Sequence, residues 1–167
     1  MTEIPEFYKA YVAKVQDKGI LKSLEDSWNE LRDLIANLTE QDGFFAYADG
    51  KWSIKDVLQH IIDCERIMSN RALRFARADK TPLPGFDENH YVPQAKASNK
   101  SFFLLLEEFD AVRKSSITLF KGLDEEMMKN IGEANGHQFD AESQGYIMAG
   151  HCQHHIDVLK ERYLPLL

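Results

Sequence analysis

Four separate stretches of this 167-residue chain carry apolar residues at spacings of three and four, and no stretch of useful length alternates apolar with polar. A chain patterned this way cannot bury a sheet and must pack helices against helices. The first helix is expected from about residue 20 to 38, on Leu24, Trp28, Leu31, Ile35 and Leu38. The second starts at Ser53, an N-cap whose partner three residues on is Asp56, and runs to about Arg77 on Val57, Ile61, Cys64, Met68 and Phe75. Ser98 can cap a third to about Gly122, with Phe102, Leu105, Leu106, Phe109, Val112, Ile117 and Phe120 as its stripe. The fourth should span about Ala141 to Tyr163, where Pro165 stops it.

The connections are of unequal weight. "TEQDGFFAYADGKWS" is a turn-rich link anchored by Phe44, Phe45, Tyr47 and Trp52. "ADKTPLPGFDENHYVPQA" holds three prolines and a glycine, so it reads as a long crossover loop between the second and third helices. Loops of that length are often functional. "LDEEMMKN" can add a turn or two of helix, and residues 132–140 read as a loop with at most a short extended piece. Together these features describe an all-α four-helix bundle.

A chain of this size makes one ordinary domain and can bury a core without metal or disulfide staples, so any metal it holds is expected to work rather than to support the fold. The net charge of −7 offers nothing to a phosphate backbone, so nucleic acid is not an expected partner. No apolar run approaches the roughly 18 residues of a membrane span, and "MTEIPEFYKAY" lacks the apolar core of a signal peptide. A cytoplasmic protein is expected, with Cys64 and Cys152 as free thiols.

Three of the six histidines fall in "HCQHH", residues 151–155. At about 100° per residue, His151 and His155 share one helix face, while His154 lies about 60° from His151 and about 100° from His155. The pair His151/His155 is preferred because that spacing recurs in helix-borne zinc sites, and the pair His151/His154 stays open. His60, among Val57, Ile61, Cys64 and Met68, is the candidate partner across the bundle. Each histidine alone is more often a core or surface residue than a ligand, but three imidazoles from two helices would form a site with open coordination positions. Cys64, one turn beyond His60, could instead close a tetrahedral, structural site. Asp56 and Glu65 are more often solvated surface acids than partners of such a site, and Glu65 lies about 140° around the helix from His60.

The segments "KWSIKDVLQHIIDCE", "LPGFDENHY" and "GHCQHHIDVLKERY" together resemble the DinB/YfiT-like superfamily. The resemblance runs through most of the chain from about residue 20. It implies a four-helix bundle in which the second helix gives one histidine and the last helix two, four apart, to a divalent metal. Carried onto this chain, the ligands are His60, His151 and His155, with His154 a neighbour; zinc or nickel is implied, and a homodimer. The activities implied are metal-dependent hydrolysis or transfer of a low-molecular-weight thiol such as bacillithiol or mycothiol.

An open three-histidine metal could bring the pKa of a bound water toward about 7, or bind and deprotonate a thiol. Either chemistry needs a pocket for a small-molecule substrate. The loop of residues 78–97 is the expected lid, with Asp87, His90 and Tyr91 among its polar groups, and Cys64 and His154 near the metal. A metal-binding bundle without catalysis is the alternative. The aromatic N-terminal stretch with Phe7, Tyr8, Tyr11 and Val12 could pack on a second chain or cover its own bundle.

Overall fold

A computed structural model describes residues 1–167. Its four long helices are α2 (Ile20–Ala36), α3 (Ile54–Ala76), α5 (Phe102–Lys121) and α7 (Ala141–Val158, extended by a π-helical turn Leu159–Tyr163). The expected bundle is therefore present. Helix α3 packs on α7 and α5, and α2 packs on the same two helices. Thus α2 faces α3, and α5 faces α7, across the diagonals of the bundle.

Local chemistry sets the helix starts. Ser53 Oγ accepts from the Asp56 amide at 3.2 Å, and the Asp56 carboxylate accepts from the Ser53 amide at 3.0 Å, closing the expected capping box of α3. Asp56 is thereby fixed as a capping residue. Helix α5 begins later than expected, because Ser101 rather than Ser98 caps it and Ala97–Asn99 forms a separate 3-10 turn.

Three parts of the structure depart from the sequence expectation. Glu6–Ala13 forms a helix, α1, which eight residues could hardly sustain alone; it lies along α7. Here the N-terminal aromatics meet their own bundle: Tyr8 packs edge-on against Phe139, and the Tyr11 ring stands 5.0 Å from that of His154. The long connection is not wholly loop, since Glu88–Ala95 forms α4 despite Pro93. Asp87 caps it through the Asn89 amide at 2.9 Å, and Pro93 removes only one bond from a helix that ends two residues later. Finally, after α6 (Glu125–Lys129), residues 131–140 form a hairpin, β1 (Ile131–Ala134) against β2 (His137–Asp140). Asn135 and Gly136 turn it with φ of 52° and 74°, the left-handed pair that an Asn-Gly step supplies with least strain.

Leu83 adds to the hairpin edge, its amide bonding to the Glu133 carbonyl at 3.0 Å, and this pins the start of the crossover beside the bundle. Helix α1 reaches α7 closely because residue 150 is glycine: a Cβ there would lie 2.1 Å from the Tyr11 carbonyl oxygen. Backbone cannot yield as a side-chain tip can. Gly150→Ala should therefore push α1 off its seat and cost about 1–3 kcal/mol. Urea unfolding measures the loss, and faster proteolysis within residues 6–18 would locate it; an unchanged stability would mean that α1 is not held there.

The core has two apolar halves with a polar layer between them. One half gathers Leu24, Met68, Phe75, Phe120, Phe139 and Met148; the other gathers Leu31, Ile54, Leu58, Phe109, Ile156 and Tyr163. Between them Arg113, fully buried, places its guanidinium on Glu65, with Nη2 donating to Oε2 at 2.7 Å and Nε to Oε1 at 2.9 Å. Nη1 donates to the Leu24 carbonyl at 2.6 Å and to Ser27 Oγ at 2.8 Å. The expectation of a solvated Glu65 is corrected: its 140° offset from His60 points it at the bundle centre, where Arg113 neutralises it.

Candidate metal centre

Helices α3 and α7 cross so that His60 meets His151 and His155. The Nε2 atoms of His60 and His151 are 3.0 Å apart, and those of His151 and His155 are 3.1 Å apart. The His60 and His155 ring centres are 4.8 Å apart. One turn of α7 thus presents two imidazoles to the one that α3 presents. His60 and His151 are buried, and the Trp52 ring leans on His60 at 4.8 Å.

Proton bookkeeping makes this cluster unusual. A neutral imidazole offers one N-H and one in-plane lone pair, so the two contacts at His151 Nε2 compete for a single proton or a single lone pair. A cation among the three nitrogens would engage every lone pair at once. The spacing suits it: donors about 2.1 Å from one ion stand about 3.0 Å apart at right angles and about 3.4 Å apart at the tetrahedral angle. Protonation is disfavoured as well. Burial, with the positive potential of His154 second, pushes His60 down to about 4. Burial pushes His151 and His155 well below the ordinary imidazole range, and neighbouring imidazoles reinforce the shift. Neutral rings are the form a metal needs.

Cys64 shares the place. Its Sγ lies 3.5 Å from His60 Nδ1 and 3.7 Å from His60 Nε2, and His60, Cys64 and His151 bring one donor atom each within 4.8 Å of one another, an alternative to the grouping with His155. The two groupings share His60 and His151 and differ in the third donor. Burial pushes the Cys64 thiol up, with Glu88 adding to the shift, so without a metal it stays protonated.

The histidines open onto a cavity of about 290 Å³. Cys64, Met68 and Arg71 of α3 form one side of it, and Phe7, Tyr8 and Tyr11 of α1 form another. Gly85, Phe86, Glu88 and Asn135 lie at the far end, brought there by the crossover and the hairpin turn. Of the pocket residues expected from the sequence, Cys64 lines this cavity. His154 does not; it sits behind Tyr11. Asp87 is the cap of α4, and His90 and Tyr91 line a different groove, between α4 and Asp63, Arg66 and Ile67 of α3. Thus, of the polar groups expected at the tip of the crossover, Glu88 reaches the cavity, and Phe86 joins it.

Arg71 and the α1 tyrosines are the residues that sequence reasoning did not bring to the site. Arg71 had a signal: it lies eleven residues after His60, three helical turns and about 20° around, inside an otherwise apolar stripe. Tyr8 and Tyr11 had none beyond their aromatic character, because nothing local says which surface α1 will cover.

The chain is similar to known proteins. Residues 23–159 match the model of the DinB superfamily. A protein of Oceanobacillus iheyensis named "Putative metal-dependent hydrolase" is 25% identical over 143 residues, 84% of this chain and 81% of its own length. Among solved structures, YfiT from Bacillus subtilis superposes with a TM-score of 0.76 at 17% identity, over 96% of this chain and 89% of its own. It is described as "a probable metal-dependent hydrolase with an unusual four-helix bundle topology". At that identity the likeness speaks for the fold.

Proposed function

The chain belongs to the DinB superfamily, and on that premise we propose that it is a divalent-metal-dependent hydrolase of a small molecule, with His60, His151 and His155 as the metal ligands. The observation that carries this reading is the double contact at His151 Nε2, 3.0 Å from His60 Nε2 and 3.1 Å from His155 Nε2, which three neutral imidazoles cannot satisfy among themselves. The hydrolase name of the Oceanobacillus relative supports the reaction class. We take the whole chain as one domain devoted to this site.

Zinc or nickel is the proposed ion, because a donor set of imidazoles alone suits both. When bound, such an ion supplies Lewis acidity and makes a coordinated water acidic enough to be a nucleophile near neutral pH. The remaining work belongs to the chain's own side chains. Trp52 and Tyr11 hold the His60 and His151 rings in orientation by stacking and edge contacts, and the α1 aromatics narrow the way in for water. Tyr8, whose hydroxyl burial keeps protonated, can donate a hydrogen bond to a substrate oxygen in the cavity.

A second reading is a structural ion closed by Cys64, favoured by the 3.5 Å approach of Sγ to His60. Metal content measured by mass spectrometry decides between them. About one ion per chain is expected in the wild type and in Cys64→Ser, and little in His60→Ala or His155→Ala. Loss in Cys64→Ser with retention in His155→Ala would replace the open site with the closed one, and no ion in the wild type after incubation with zinc or nickel would remove both.

A further inference from the structure

The cavity has two chemically different ends. His60, Cys64, Met68 and Arg71 fall within about 80° of arc on α3, so one helix face carries an imidazole, a thiol, a thioether and a guanidinium in line. Eleven residues at 1.5 Å each separate the outer two by about 16 Å of helix axis. Between them the wall is Cys64 and Met68, with Tyr8 opposite. Such a trough accepts an extended chain better than a compact group.

Arg71 is the unusual member. It is 4% exposed, its Nη2 donates to the Pro84 carbonyl at 3.0 Å, and its other near partner is the neutral Tyr8 hydroxyl. Elsewhere the protein pairs its buried cations: Arg113 with Glu65, and Lys55 with Glu40. Arg71 has no carboxylate at pairing distance, although Glu88 lines the same cavity from the first turn of α4. The Phe86 ring stands 5.9 Å from its Cζ and covers one face of the guanidinium. A buried guanidinium without a counter-charge is costly, and one that faces a cavity is ready for an anion.

We propose that the cavity binds an extended small molecule whose terminal carboxylate pairs with Arg71 while its reacting group lies against the histidines at the other end. A carboxylate is the anion chosen because one planar guanidinium matches its two oxygens, whereas a phosphate dianion would call for further cations that this wall does not hold. The reacting end of this assignment rests on the metal reading above; the carboxylate end stands on Arg71 alone. It narrows the substrates to linear amides, esters or other acyl derivatives whose apolar chain ends in a second, free carboxylate.

The test separates the two ends. Octanoate, octanamide and octyl phosphate are titrated calorimetrically into the wild type, Arg71→Lys and Arg71→Met, all held metal-free with EDTA and checked for helicity by circular dichroism. Octanoate should bind the wild type at least about tenfold more tightly than octanamide, and Arg71→Met should erase most of that preference, with Arg71→Lys between. Equal binding of octanoate and octanamide by the wild type overturns the proposal without reference to any variant. A preference that survives in Arg71→Met also overturns it, and tighter binding of octyl phosphate overturns the choice of carboxylate. The zinc-loaded wild type is then titrated with suberate monohydroxamate and with octanohydroxamate, which differ in the distal carboxylate. Tighter binding of the former supports the two-ended assignment, and equal binding overturns it. Failure of the protein to take up zinc sinks only the metal reading, because the EDTA series has already judged Arg71.

Discussion

Replacing Glu65 with Ala is expected to lower the unfolding free energy by about 3–5 kcal/mol, the largest effect of any single change away from the histidines. The reason is asymmetry. In the native state Arg113 is wholly buried and spends three of its donor contacts on the two Glu65 oxygens. Truncating the acid leaves the cation in a low dielectric with only Leu24 and Ser27 to satisfy it. Removing both charges together, as Glu65→Leu with Arg113→Met, should recover most of the loss, since apolar groups of similar volume ask for no counter-charge. Urea denaturation of the two single variants and the double variant provides the cycle. A loss below about 1 kcal/mol for Glu65→Ala would mean that water reaches the pair and that the polar layer is not a sealed part of the core.

The metal-free protein should also lose stability steeply as the pH falls from about 6.5 toward about 4. The sign follows from where protons bind. Unfolded, the three histidines titrate near 6.5; folded, His60 holds off its proton until about 4, and His151 and His155 are pushed well below their ordinary range. Between those limits the unfolded chain carries more protons, so stability is complete above about 6.5 and declines below it. His60 alone accounts for on the order of 3 kcal/mol across its window, and three such groups give a slope near 4 kcal/mol per pH unit at its steepest. Thermal melts from pH 7.5 to 4.5 with EDTA measure the slope, and His60→Gln should flatten it. A melting temperature level through that range would mean that the imidazoles are hydrated in solution. Zinc should raise the melting temperature near neutrality and lose its effect as protons displace it.

The helices and their apolar faces were readable because a spacing of three and four reports burial directly, residue by residue. His60, within such a face, and His151/His155, four apart, could be read as candidates for one cluster on the same ground. What the sequence concealed depends on contacts between distant segments. Glu65 and Arg113 each look like ordinary surface charges, and only the packing of α3 against α5 makes them a buried pair. Arg113 did carry a hint, sitting midway between Phe109 and Ile117 in the stripe of its own helix. The Asn135-Gly136 step was a local hairpin signal that four-residue strands were too short to support by alternation. Helix α1 is the reverse case: its eight residues gain their helicity from α7, so no local reading could settle which surface they cover.

The diagonal arrangement of the bundle also bears on how fast it can assemble. Of its four interfaces, only that between α3 and α5 joins helices that follow one another among the four; the others pair α3 with α7, α2 with α5, and the first helix of the set with the last. An up-and-down bundle would have made most of these contacts between neighbours. Here the chain must close long loops before those contacts repay it, which raises the contact order and slows folding relative to other helical proteins of this length. His60 and His151 stand 91 residues apart in sequence, so the pocket between them exists only after one of those long closures. An ion binding both would act as a reversible cross-link, slowing unfolding far more than it hastens folding.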